Sequence, residues 1–198
     1  MLFGGRAPGL GRPPPDADRG TRRLTVAFSA GLYVSEAIRA FAARHPDVEV
    51  DIVPVRWWEQ DTPLRDGRAQ VGYLRRPFDD TGLHLVPIGS EPKVACMPAS
   101  HPLAARPELT RADLDRERVL DLPTRRTTTL EEKFELIASG HGIALVPHSV
   151  ARSYSRPDLV HVPITDAPEV QRCLAVATDR PGPVVRDFLE IAAAALRH

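Results

Sequence analysis

The sequence predicts an α/β fold, and three observations carry that prediction. Leu24 to Leu74 runs strand, helix, strand, helix, strand over short connections, a series that calls for a parallel sheet. From Leu83 to Thr178 further strand-like apolar runs follow, punctuated by two helix-start signals. The chain then closes on "PVVRDFLEIAAAALRH", a helix with one apolar face.

In order, Met1 to Arg23 is dominated by Gly, Pro, Arg and Asp, with prolines at 13, 14 and 15. Such a segment buries too little apolar area to offset its ordering entropy and is expected to be a flexible tail. "LTVAF" is the first strand, and "SAG" turns the chain into a helix from about Val34 to Arg44. Val34, Ala37, Ile38, Phe41 and Ala42 form its apolar stripe. His45-Pro46 stops it, because a residue before proline avoids the helical region. "VEVDIVPV" alternates as a half-buried strand with Val48, Val50 and Ile52 inward. "WWEQDTPLRDG" is a short helix ended by Gly67, and "AQVGYL" the next strand.

In the second half, "LHLVPI", "EPKVACMP", "RVLDLP", "IALVP", "LVHVPI" and "CLAVAT" read as strands. "TRAD" from Thr110 and "TLEE" from Thr129 fit the capping-box pattern of a helix start. Gly140 is placed to end the second of these helices in a left-handed turn, with Leu130, Phe134 and Ile137 facing the core. Val185, Phe188, Leu189, Ala192 and Leu196 face inward on the final helix.

Composition narrows the function. Arg plus Lys and Asp plus Glu each number 26, so no net field draws the chain to nucleic acid or to a membrane surface. No apolar run approaches the ~18 residues of a membrane span, and the first residues lack a signal-peptide pattern. A cytoplasmic location is expected. Cys96 and Cys173 each sit in an apolar run and read as small buried hydrophobes. His45, His101, His141 and His148 fall in turns without metal-ligand spacing or a neighbouring nucleophile. No catalytic residue, metal or cofactor is expected.

Four blocks in order then carry a resemblance: "LTVAFSAG" with "AIRAFAARHPDVEVDIV", then "PLRDGRAQVGYLRRP", then "GLHLVPIGSEPKVACMPASHPLA", and "LIASGHGIALVPHSV". From Leu24 onward the chain resembles the effector-binding domain of LysR-type transcriptional regulators. The resemblance implies a two-lobed periplasmic-binding-protein-like (type 2) fold with a small ligand between lobes. Lobe I is expected at about 24–93 plus 176–198 and lobe II at about 94–175. Lobe II reads as shortened by a strand–helix stretch, on the order of 25 residues, between "VLDLP" and "TTTLEEKF". The family's winged helix-turn-helix has no counterpart before Leu24, so no direct DNA contact is expected from this chain.

Ligands in open α/β sheets sit beyond the C-terminal ends of strands. Ser29 stands there, after the first strand, where the resemblance also implies a polar effector contact; the plain alternative is a turn serine. Trp57 and Trp58 follow the second strand, and the resemblance implies that one of them falls near a second cleft position, where an indole stacks on a flat ligand or fills the cleft; Trp57 is the expected contact and Trp58 is read as core or rim packing. Arg75 matches a position where some family members hold an effector, and a guanidinium suits bidentate capture of a carboxylate, with a surface salt bridge as the alternative. Thr128 is the contact expected from lobe II, since Thr129 is engaged as a cap. The expectation is therefore a non-enzymatic sensor of a small, anionic metabolite, acting as a homo-oligomer or paired with full-length relatives. A solute-binding protein of the periplasmic class and a non-functional truncated paralogue are the alternatives.

Overall fold

The structure, a computed structural model, describes residues 22–120, 129–177 and 181–197. Two sheets organise them. The first holds five strands in the order β2-β1-β3-β8-β4: β1 (Arg22–Ser29), β2 (Val48–Val55), β3 (Val71–Arg75), β4 (His84–Glu91) and β8 (Val170–Val176). The second holds β5 (Lys93–Pro98), β6 (Ala144–Pro147) and β7 (Leu159–Pro163) in the order β6-β5-β7. Among the described residues the second sheet thus has three strands against the first sheet's five. The expected "RVLDLP" strand reduces there to one parallel bridge, Val119 with Ile143, and its remainder lies outside them.

β1 pairs in parallel with both β2 and β3, as the alternating first half requires. The strand begins at Arg22, two residues earlier than expected. Arg23 reaches Glu49 at 2.9 Å and Asp51 at 3.4 Å, and Arg22 reaches Asp47 at 3.7 Å, so cross-strand charge pairs draw the end of the expected tail into the sheet. β2 lies at the sheet edge and its expected alternation breaks: Val48 is buried but Ile52 is 53% exposed. β8 runs antiparallel between β3 and β4. The expected far boundary of lobe II, near Ala175, is thereby corrected: Val170–Val176 belongs to the first sheet, and the chain returns to it after Ile164. Alternating apolar residues in "CLAVAT" announce a strand but not the sheet that receives it.

Helices α1 (Ser35–Arg44) and α5 (Pro183–Ala195) cover one face of the large sheet, where Phe41 and Phe188 meet edge to face at 5.2 Å. Ala42, placed on the α1 stripe by spacing, is exposed. The four-residue helix α2 (Thr62–Arg65) closes the other face through Leu64, against Ala27, Leu74 and Cys173. On the small sheet, α3 (Leu130–Ala138) and α4 (His148–Ser153) pack Phe134, Ile137 and Val150 against Val94, Cys96 and Val146. The helix expected from "TRAD" is only a single 3-10 turn at Ala112–Leu114, though Thr110 N–H and hydroxyl both bond Asp113 Oδ2, at 2.7 and 2.8 Å.

α3 keeps its signals. Thr129 Oγ1 accepts from Glu132 N–H at 3.2 Å. At the other end Gly140 N–H reaches the Ile137 carbonyl at 2.9 Å and His141 N–H that of Leu136 at 3.0 Å, a Schellman pairing with Gly140 at φ +79°. The second glycine of "GHG" does different work. A Cβ on Gly142 would stand 2.4 Å from the Arg118 carbonyl, because Ile143 N–H bonds that carbonyl and Leu120 N–H bonds Ile143. The turn is thus packed backbone to backbone against the segment that leads toward lobe II's return.

A candidate effector site between the lobes

The C-terminal ends of β1, β2 and β3 present their loops to the second sheet, and four buried polar side chains gather there. Ser29 ends β1 and is 2% exposed. Its hydroxyl lies 2.5 Å from Gln60 Oε1, to which it donates. Gln60 also accepts Arg75 N–H at 3.0 Å and donates through Nε2 to the Arg75 carbonyl at 2.9 Å. Its side-chain amide therefore stands in for a strand at the point where β1 has turned away from β3.

Arg75, at the end of β3, is 0% exposed. Nε donates to Glu91 Oε1 at 2.7 Å, Nη1 to the Ala30 carbonyl at 2.6 Å, and Nη2 to the Ser149 hydroxyl. Glu91 is the last residue of β4, one residue before the crossing to β5, and its Oε2 accepts Ser149 N–H at 2.8 Å. Burial pushes the Glu91 carboxyl up, but the Arg75 guanidinium and the Ser149 donors outweigh it and hold the group below its usual range. Arg75 is the residue expected to capture an effector carboxylate; the structure gives it an internal one instead, together with a lobe II serine. The reason is sixteen residues downstream, in a glutamate that no local pattern ties to it.

Ser149 sits in α4, so this cluster crosses between lobes. Two further contacts reinforce it. Tyr33 Oη and Ser153 Oγ are 2.8 Å apart. Gly31, at φ +76°, lies so close that an added Cβ would stand 2.7 Å from the Ser149 carbonyl oxygen.

Beside this cluster lies a cavity of about 230 Å³. Ser29, Val55, Trp57 and Trp58 line it from lobe I, and Leu130 and Lys133 are among its lobe II residues. It falls below the ~300–1,000 Å³ of pockets for drug-sized molecules, which suits a small metabolite. Tyr154, stacked on Phe134 at 4.6 Å, also borders it and donates to Glu131 Oε1 at 2.9 Å. Burial and that bond push its phenol up to about 12, so it stays a neutral donor. Trp57 is shared with a second interlobe cavity of about 480 Å³, bordered by Arg76, Lys93, Leu145 and Glu169. Ser29 and Trp57 thus meet at one site, joined by Trp58; Arg75 lies behind its floor, and Thr128 lies outside the described residues. Its neighbour Thr129 borders the cavity while capping α3. Sequence reasoning misses Gln60, Glu91, Ser149 and Lys133; the one available hint is Glu91-Pro92 at the junction of two strand-like runs.

Among the described residues no group of three or more His, Cys, Asp or Glu side chains is placed to hold a metal ion, and no helix is long and apolar enough to cross a membrane.

Comparison with known proteins places this geometry. The profile of the LysR substrate binding domain matches residues 16–133 and 123–197. The Hca operon transcriptional activator HcaR of Escherichia coli is 24% identical over 198 residues, covering 86% of this chain and 67% of its own length. This chain thus spans about two thirds of that regulator. Among solved structures, the BenM effector binding domain with its effector benzoate superposes with a TM-score of 0.72 at 20% identity, over 87% of this chain and 91% of that one. The reduced OxyR regulatory domain of Pseudomonas aeruginosa gives 0.71 at 20% identity, over 89% and 98%.

Proposed function

Because the chain belongs to the LysR substrate binding domain family, we propose that its interlobe cavity is the effector site of a ligand-sensing regulatory domain. The ligand is a small, ring-bearing, anionic metabolite. The observation that carries this reading is the wall itself: the chain's only two tryptophans, Trp57 and Trp58, stand beside Ser29 on one lobe and meet Leu130 and the buried Lys133 of the other. Indole faces suit a flat ring, and an ammonium supports an acid group. A ligand touching both lobes favours their closed arrangement, and its differential affinity is the signal. The domain works in the cytoplasm as part of a transcription regulator, by binding rather than turnover, and as a homo-oligomer or joined to full-length relatives. Its balanced charge supports a role in sensing rather than in reading DNA.

Thermal-shift titration with small organic acids, benzoate among them, tests the reading. A ligand at about 100 times its Kd adds about 2.7 kcal/mol, roughly 5–11 °C in Tm for a chain of this size. The rise is expected in the wild type and lost in Trp57→Ala. An equal rise in both proteins places the ligand elsewhere.

A further inference from the structure

The floor of the cavity has a hydrogen-bonding polarity that follows from Gln60. Its amide pairs at two points with the Arg75 backbone, N–H to Oε1 and Nε2 to carbonyl. Turned over, it would set donor against donor and acceptor against acceptor, so the amide is fixed with its oxygen toward Arg75 N–H. The same oxygen lies 2.5 Å from Ser29 Oγ. An amide oxygen only accepts, and a hydroxyl carries one proton. That proton is therefore committed to Gln60, and what Ser29 has left for the cavity is lone pairs. The guanidinium behind it is equally committed, to Glu91, Ala30 and Ser149. Arg75, the side chain expected to seat a carboxylate, is engaged inside the protein, and Ser29, the expected polar contact, keeps only acceptor capacity for the cavity.

We infer that the effector meets Ser29 with a hydrogen-bond donor, a hydroxyl, amine or ring N–H, and that Gln60 is the positioning residue that sets this specificity. An acid group on the same molecule is met by other wall residues, of which Lys133 and Arg56 are the cations. The inference rests on the cavity being the effector site, and it narrows the ligand class to rings that carry a donor. A carboxylate placed on Ser29 would face lone pairs with its own lone pairs, and an unmatched polar contact of this kind costs about 1–3 kcal/mol, roughly tenfold or more in affinity.

Three single-ring probes separate the possibilities: phenol, fluorobenzene of nearly the same shape but with no donor, and benzoate. Binding is read by calorimetry, with quenching of Trp57 and Trp58 fluorescence as the locator. Phenol is expected to bind about tenfold more tightly than fluorobenzene, and Ser29→Ala, which leaves Gln60 paired with Arg75, to bring the two together. Benzoate affinity is expected not to fall in Ser29→Ala. In Gln60→Met, where the Ser29 proton is released, the order is expected to move toward benzoate; a merely structural Gln60 would weaken all three probes alike. Phenol no better than fluorobenzene, or benzoate weakened about tenfold by Ser29→Ala, overturns the inference and leaves the effector site standing. If no probe quenches the tryptophans or raises Tm, the effector-site reading falls and the inference with it.

Discussion

Replacing Arg75 by Met keeps the length of the side chain and removes its charge. The Arg75→Met variant would leave Glu91 buried with only the Ser149 donors, and would strip the guanidinium from the Ala30 carbonyl and the Ser149 hydroxyl. Breaking a buried ion pair from one side costs about 3–5 kcal/mol; the surviving Ser149 bond places this case near 3 kcal/mol, or about 6–12 °C in Tm. The cost depends on pH with a definite sign. In the wild type the Glu91 carboxyl is held below its reference value of 4.5, so its contribution is complete above that value and is lost as pH falls through the lowered folded value. Without the guanidinium, burial is opposed by the Ser149 bonds alone, and the carboxyl rises from its wild-type value. The variant therefore gains less stability than the wild type as pH rises through the carboxyl's range. Urea unfolding at about pH 4 and at about pH 7 should therefore give a larger difference between the proteins at the higher value. Adding Glu91→Gln to Arg75→Met should recover a large part of the loss at neutral pH. A difference under about 1 kcal/mol, or one that is the same at both pH values, would refute the view that this pair is a matched internal charge.

Other expectations follow from single positions. Gly142→Ala must fit a methyl 2.4 Å from the Arg118 carbonyl and should cost more than about 2 kcal/mol, while Gly140→Ala, with nothing within 4 Å, should cost about 1–2 kcal/mol, the left-handed backbone alone; equal losses in urea melts would contradict this. Thr129→Ala removes the cap of α3 and should cost about 1 kcal/mol by the same measurement, with Thr129→Ser largely restoring it. Burial pushes the thiols of Cys96 and Cys173 up to about 12 and about 11, so both should resist a disulfide reagent at neutral pH and react promptly in denaturant. Prompt reaction of either thiol in the native protein would show that its surroundings open readily.

What can be read beforehand follows local pattern. The parallel series β1, α1, β2, α2, β3 is legible because helical and strand periodicities alternate there over short connections, and that series puts Ser29 and Trp57 at strand ends facing one cleft. Thr129 and Gly140 are legible because caps are chemistry within a few residues. What escapes depends on partners distant in sequence. β8 reads as a strand anywhere, and only its antiparallel fit between β3 and β4 assigns it to the larger sheet. α4 is six residues long, too short for an apolar stripe to declare itself. Arg75 has the residue type and the strand-end position of an anion receptor, and both describe its chemistry correctly; the anion is Glu91. Gln60 lies in a polar stretch with no periodicity, so nothing in its neighbourhood marks it as the one amide that completes β3.

The contact at Gly31 has a practical consequence. Main chain from the two halves touches there with no room for a methyl group, since the nearest atoms are Ser149 O and C and Val150 N. A larger residue at 31 would act as a wedge, prying the halves apart from a place that borders none of the cavity itself. Such a variant changes none of the residues that border the cavity.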